Sequence, residues 1–283
     1  MNVTRNVTQA CPNCPGALAV RVFAIGRDNA VMRCRSCGLE YAQRYPEPEV
    51  AAATVYHDEY FAVAIEEETR RRNIFHQLLA EVEEFLGRRG RLLDVGAGEG
   101  LLVEVAQERG WQAEGTEIAA AMVERSQRAG RVRLHHGELE TLALPTGSYD
   151  AIIMNHVLEH LRNPRAALEV ALGLLAPGGI VRIEVPNLAG LSSRWKNLQS
   201  RTHLKRHPWK HYSVGHHFWF FTPATLQRTA EAAGLWVLRM QAPAQQWDRT
   251  SGTARLWNDA SRRHLWGGHL VIYARRGRDH RTY

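Results

Sequence analysis

Beyond residue 90 the chain alternates short apolar runs with stretches whose apolar residues recur at helical spacing. The runs are Leu92–Val95, Trp111–Glu117, Val132–Gly137, Tyr149–His156, Ile180–Val185, Trp236–Met240 and Leu270–Ala274, each of strand length. Leu101–Arg109 and Ala224–Ala233 carry helical periodicity between them, and Glu66–Leu86 precedes the first run with the same pattern. Tyr149–His156 is apolar in its middle and polar at its end, as a central parallel strand should be. The alternation predicts an α/β fold, a seven-stranded parallel sheet wound by helices on both faces.

The first 45 residues follow another pattern. They hold all four cysteines, as Cys11-Pro-Asn-Cys14 and Cys34-Arg-Ser-Cys37, with short strands predicted over Ala17–Ala24 and Asn29–Arg33. Two C-x2-C knuckles at this separation fit one tetrahedral zinc ion, and four thiolates close its coordination, which makes the metal structural. Two disulfides are the alternative. Met1–Gln9 lacks the apolar core of a signal peptide, so a cytoplasmic chain with reduced thiols is expected. The predicted organisation is a zinc ribbon over 1–45, a linker and aromatic segment over 46–74, and the main domain over 75–283.

The chemistry concentrates where the first strand of the main domain ends. Asp94-Val95-Gly96-Ala97-Gly98-Glu99-Gly100 reads as a strand end, a glycine turn and the start of a helix. Gly96, Gly98 and Gly100 admit backbone conformations other residues resist and let a ligand approach the main chain. The helix behind them offers unpaired N–H groups to an anion. Leu101 stands where a dinucleotide fingerprint needs its third glycine, and Asp94 would repel a pyrophosphate. A carboxylate beside an ammonium and a sulfonium, with a ribose and adenine at the far end, fits better: S-adenosylmethionine. Glu117 ends the next strand about 20 residues on, the spacing at which an acid holds ribose hydroxyls. Glu138 and Leu139 follow the third strand at the place for adenine, and Asn155 closes the fourth.

With Tyr149-Asp150, His156-Val157-Leu158-Glu159-His160, Leu175-Ala176-Pro177-Gly178-Gly179 leading into Ile180–Asn187, and Phe221-Thr222-Pro223, the chain resembles class I S-adenosylmethionine-dependent methyltransferases over residues 75–277. The resemblance implies a Rossmann-like sheet. It points to a bacterial subgroup, often with an N-terminal zinc ribbon, that methylates small molecules, sugars and lipid-linked precursors. It implies that His160 shapes the pocket and that a histidine at the place of His217 serves the reaction. His217 is the first choice for general base and His156 the second, because an imidazole is partly neutral near pH 7.

Charge adds a partner class. The net charge is +7, and no acid lies between Glu184 and Glu231, a stretch holding Arg194, Lys196, Arg201, Lys205, Arg206, Lys210 and Arg228. An anionic acceptor is expected, a small molecule or one linked to a carrier. The segment 188–215 is the expected substrate cap, with Trp195 and Tyr212 as stacking faces, Arg201, Lys205 and Arg206 as clamps, and His216 beside the base. O-methylation of a sugar, glycan precursor or natural-product hydroxyl is the leading reading. An rRNA or tRNA methyltransferase, a C-methyltransferase of nucleotide-linked sugars and a non-catalytic cofactor-binding protein stand as alternatives.

Overall fold

The computed structural model describes residues 7–25, 27, 29–45, 65–130, 132–202, 204, 209–244 and 252–277. The N-terminal part holds β1 (Val7–Thr8), β2 (Ala19–Ile25), β3 (Asn29–Cys34), β4 (Glu40–Ala42) and β5 (Arg44–Tyr45). The main part follows as α1 (Ile65–Leu86), β6 (Arg91–Val95), α2 (Leu101–Glu108), β7 (Gln112–Glu117), α3 (Ala120–Arg128) and β8 (Leu134–His136). It continues through β9 (Tyr149–Asn155), a 3-10 turn at Leu158–His160, α4 (Pro164–Leu174), β10 (Leu175–Pro186), α5 (Leu191–Arg201) and β11 (Trp219–Phe220). It closes with α6 (Pro223–Ala232), β12 (Leu235–Gln241), α7 (Gly252–His264) and β13 (His269–Arg276).

The seven-stranded sheet runs in the order β12-β13-β10-β9-β6-β7-β8. Strands β8 through β10 are parallel, but β13 is antiparallel to both β10 and β12. The all-parallel sheet expected from the sequence is therefore corrected to a mixed one. Strand burial alone does not reveal direction: β13 is as buried in its middle as its parallel neighbours. The strand order reverses between β6 and β9, and open sheets of this kind bind ligands in the crevice at such a point, outside the carboxyl ends of the strands.

Two apolar layers clamp the sheet. Because side chains alternate along a strand, Ile152 and Met154 of β9 join the layer of α4 and α6, while Ala151 and Ile153 join that of α1 and α2. The first layer also takes in Cys11, Cys34, Leu39 and Tyr41 of the ribbon. The ribbon is further joined to the main part by strand pairing, since β11 pairs with β4 as the edge of a four-stranded sheet, β11-β4-β3-β2. Phe23 stacks on Trp209 with ring centroids 4.4 Å apart, and Asn13 donates to Thr229 Oγ1 at 2.8 Å. No helix among the described residues is long and apolar enough to cross a membrane.

Candidate functional site

Two groups of residues occupy the carboxyl edge of the sheet on either side of the β6/β9 reversal. On one side, the glycine turn after β6 is held to β7: the N–H groups of Gly96 and Ala97 both donate to the Thr116 carbonyl at 2.9 Å. Gly96, Gly98 and Gly100 have φ of +71°, +58° and +85°. A Cβ on Gly96 would come within 2.6 Å of Val157, and one on Gly100 within 2.3 Å of Val132. A Cβ on Gly98 would meet nothing within 4 Å, so that glycine faces open space while its neighbours serve packing.

Glu117, 2% exposed, accepts the Gly98 N–H at 2.8 Å on one oxygen and the Ala119 N–H at 2.8 Å on the other. Each oxygen keeps a second lone pair, so the fixed carboxylate can still receive two hydroxyls. Asp94 is 4% exposed, its backbone paired within the sheet. Its burial, followed by the charge of Glu117, pushes its carboxyl up to about 8. A buried acid beside a glycine turn with open space at Gly98 suits a cationic group. Glu138 is half-buried after β8, with Leu139 buried next to it. These residues fit S-adenosylmethionine. Asn155 sits at the same edge, where its Oδ1 accepts from Arg182 at 3.3 Å.

On the other side, the structure collects His156, Glu159, His160 and His217. His156 follows β9 with φ of +56°, and its Nδ1 lies 3.3 Å from Glu159 Oε1. Burial alone would lower its pKa, but the hydrogen bond with Glu159 and the negative charges of Glu159 and Glu184 outweigh it and hold the ring up to about 10. His160 donates from Nδ1 to the His216 carbonyl at 2.6 Å, which ties the turn after β9 to the segment before β11. That link places His217 edge-on to His160 with ring centroids 4.9 Å apart. Burial dominates at His217, and with neighbouring histidines it drives the ring down to about 4 against the pull of Glu159. The two rings are thus shifted in opposite directions, His156 upward by its carboxylates and His217 downward by burial.

The expected substrate residues divide. His160 joins the cluster, while the His216 side chain is exposed and only its backbone takes part. Trp195, 60% exposed, and Arg201 lie on the exposed part of α5. Tyr212, expected at the substrate, is instead 3% exposed and donates to Glu40 at 2.9 Å, with Phe23 and Phe220 packed on its ring. The carboxylate of β4 claims its hydroxyl, so it belongs to the ribbon contact. Lys205 and Arg206 lie outside the described residues. Missing from the sequence-derived set are the buried pair Arg182 and Glu184, 2.7 Å apart, and His269 of β13. The signal for the pair was a charge at every second position of an otherwise apolar strand.

The four cysteines are free thiols whose sulfurs all lie within 4.8 Å of one another, and Cys11 and Cys37 are 3.4 Å apart. Burial raises the Cys34 thiol, but the N–H groups of Cys37 and Ser36 more than offset this and bring it down to about 7. Backbone donors aimed at a thiolate, with three more sulfurs around it, suit a zinc ion.

A family of methyltransferase domains matches residues 67–239 of the chain. An uncharacterized methyltransferase of Mycobacterium tuberculosis is 32% identical over 114 residues, 39% of this chain and 57% of the relative. A ubiquinone biosynthesis O-methyltransferase of Psychrobacter arcticus is 32% identical over 121 residues, 40% of this chain and 46% of the relative. The matched part thus spans about half the length of these relatives. The 1,6-didemethyltoxoflavin-N1-methyltransferase of Burkholderia thailandensis, solved with 1,6-didemethyltoxoflavin and S-adenosylhomocysteine, superposes with a TM-score of 0.54 at 18% identity, over 90% of this chain and 98% of that one. A SAM-dependent methyltransferase of Archaeoglobus fulgidus gives a TM-score of 0.51 at 21% identity, over 77% and 99%.

Proposed function

The chain belongs to the methyltransferase-domain family, and on that footing we propose that it methylates a hydroxyl oxygen of a small, anionic acceptor. S-adenosylmethionine, when bound, supplies an already activated methyl group. Asp94, Glu117 and the Gly98 backbone hold it, with Glu138 and Leu139 beside its far end and Asn155 on the opposite side of β6. The acceptor's oxygen must lose one proton, and His217 takes it. The observation that carries this reading is the half-buried ring of His217, set against His160 and beside Glu159 at the ligand-binding edge. Glu159, fully buried and facing both rings, is placed to stabilise the charged ring that results. His156 stands between the carboxylates of Glu159 and Glu184, whose pull raises its pKa. The O-methyltransferase relatives support an oxygen acceptor.

The anionic character of the acceptor rests on α5, whose Arg194, Lys196 and Arg201 have no acidic neighbour in the helix. The cysteine cluster holds one structural zinc, closed by four sulfurs. Through β4, Tyr212 and the pairing with β11, that ribbon braces the segment carrying His217. The test is product analysis with S-adenosylmethionine and matched acceptors that carry a hydroxyl, an amine or a carbon nucleophile beside an acid group. A methyl ether supports the proposal, and methylation confined to nitrogen or carbon refutes it.

A further inference from the structure

Where β9 ends, β10 nears its end and β13 begins, three residues distant in sequence converge. Glu184 Oε1 lies 3.6 Å from His156 Nε2 and 3.5 Å from His269 Nδ1, and all three atoms are within 4.8 Å of one another. The two rings stand edge to face with centroids 4.7 Å apart. Glu184 is 1% exposed, and its Oε1 has no hydrogen-bond partner although Oε2 accepts from Arg182 at 2.7 Å. Leaving such an oxygen unsatisfied is costly, and native structures rarely do so without a reason.

The spacing supplies one. Ligands at about 2.0–2.2 Å from a tetrahedral ion stand roughly 3.3–3.6 Å apart, which is the separation of Glu184 Oε1 from each of the two ring nitrogens. The surroundings supply another: the second ring nitrogen of His156 faces Glu159 at 3.3 Å. A carboxylate behind a histidine ligand fixes the tautomer that leaves the other nitrogen free for metal. Both imidazole rings remain partly exposed, at 35% and 42%.

We propose that His156, Glu184 and His269 form a second metal centre, separate from the four cysteines, that takes a divalent transition ion of the zinc or cobalt type. Imidazole nitrogens with one carboxylate suit such ions, and three protein ligands leave a position open, as in sites that bind water or substrate. That position would face the edge where the acceptor is expected. Its use by the acceptor rests on the proposed oxygen methylation, whereas binding of the ion does not.

The test titrates zinc into the full-length protein after its cysteine site has been filled and loosely held metal removed by a weak chelator. Calorimetry and metal analysis read the uptake. Wild type should take one equivalent more than His269→Ala, with unchanged thermal transitions showing that both remain folded. Glu159→Gln should retain the extra equivalent about 10–100-fold more weakly. Cobalt in that equivalent should show ligand-field bands without thiolate charge transfer. Equal uptake by wild type and His269→Ala overturns the proposal. So does an extra equivalent lost in His217→Ala but kept in His269→Ala, because the ion would then sit on Glu159, His160 and His217. Retained uptake with no methyl ether formed refutes the oxygen reading alone.

Discussion

The two sides of this sheet edge, proposed for cofactor and for acceptor, are assembled in opposite ways. Asp94, the glycine turn, Glu117 and Glu138 come from consecutive strands and turns, and the backbone does much of their work: Gly98 and Ala119 N–H groups hold Glu117. The acceptor side is made almost wholly of side chains, drawn from the turn after β9, from β10, from the segment before β11 and from β13. It pairs opposite charges, where the cofactor side holds only acids. Arg182, Glu184, Glu159 and His156 are packed together at an apolar edge, with Tyr273 below Arg182. A site made from backbone tolerates change in most of its side chains. A site made from mutually neutralising charges should fail when any one is removed.

That contrast is tested most severely at Arg182. Arg182→Ala removes the hydrogen-bonded partner of the buried Glu184 carboxylate and should destabilise the protein by about 3–5 kcal/mol, measured by denaturant unfolding. A loss below about 1 kcal/mol would break the comparison. On the same side, His217→Ala should lower turnover at least ~10²-fold while leaving cofactor affinity unchanged. Near-normal turnover would leave orientation alone as the source of rate.

On the cofactor side, Glu117→Ala strips the acceptor from two backbone N–H groups and should cost about 1–3 kcal/mol of stability besides cofactor affinity. Calorimetry with S-adenosylhomocysteine reads the second effect, and equal affinity would remove Glu117 from the site. Gly98→Ala should be milder for the fold, about 1–2 kcal/mol for a side chain at positive φ, yet weaken cofactor binding by filling the open space above the turn. Loss of stability with full affinity would contradict that assignment.

The smallest effect expected is a pH dependence from His217. Its folded value of about 4 lies below the ordinary imidazole value of 6.5, so the unfolded chain binds a proton that the folded one refuses. Stability contributed by the neutral ring is present above about 6.5 and is lost as pH falls through about 4. Thermal unfolding across that window should be flatter in His217→Phe than in wild type.

How much of this was legible follows the same division. Local pattern predicted β9 at Tyr149–His156 against Tyr149–Asn155 observed, and α1 at Glu66–Leu86 against Ile65–Leu86. The spacing of the cysteines anticipated four sulfurs in one cluster. The same kind of reading misjudged Tyr212, since an aromatic residue in a basic segment looks alike whether it faces a substrate or a carboxylate from another part of the chain. Strand direction was invisible for a related reason, because a buried strand shows the same apolar run whichever way it points.

Sequence alone determined the strand and helix succession, the glycine turn with its flanking acids, and the paired cysteines, because periodicity, backbone permissiveness and ligand spacing act over a few residues. Tertiary structure decided that β13 inserts antiparallel beside β10, and with it that His269 meets His156 at Glu184. It also decided which histidine is raised in pKa and which is lowered. Burial and neighbouring charge set that choice, and both depend on residues the chain brings near only when it folds.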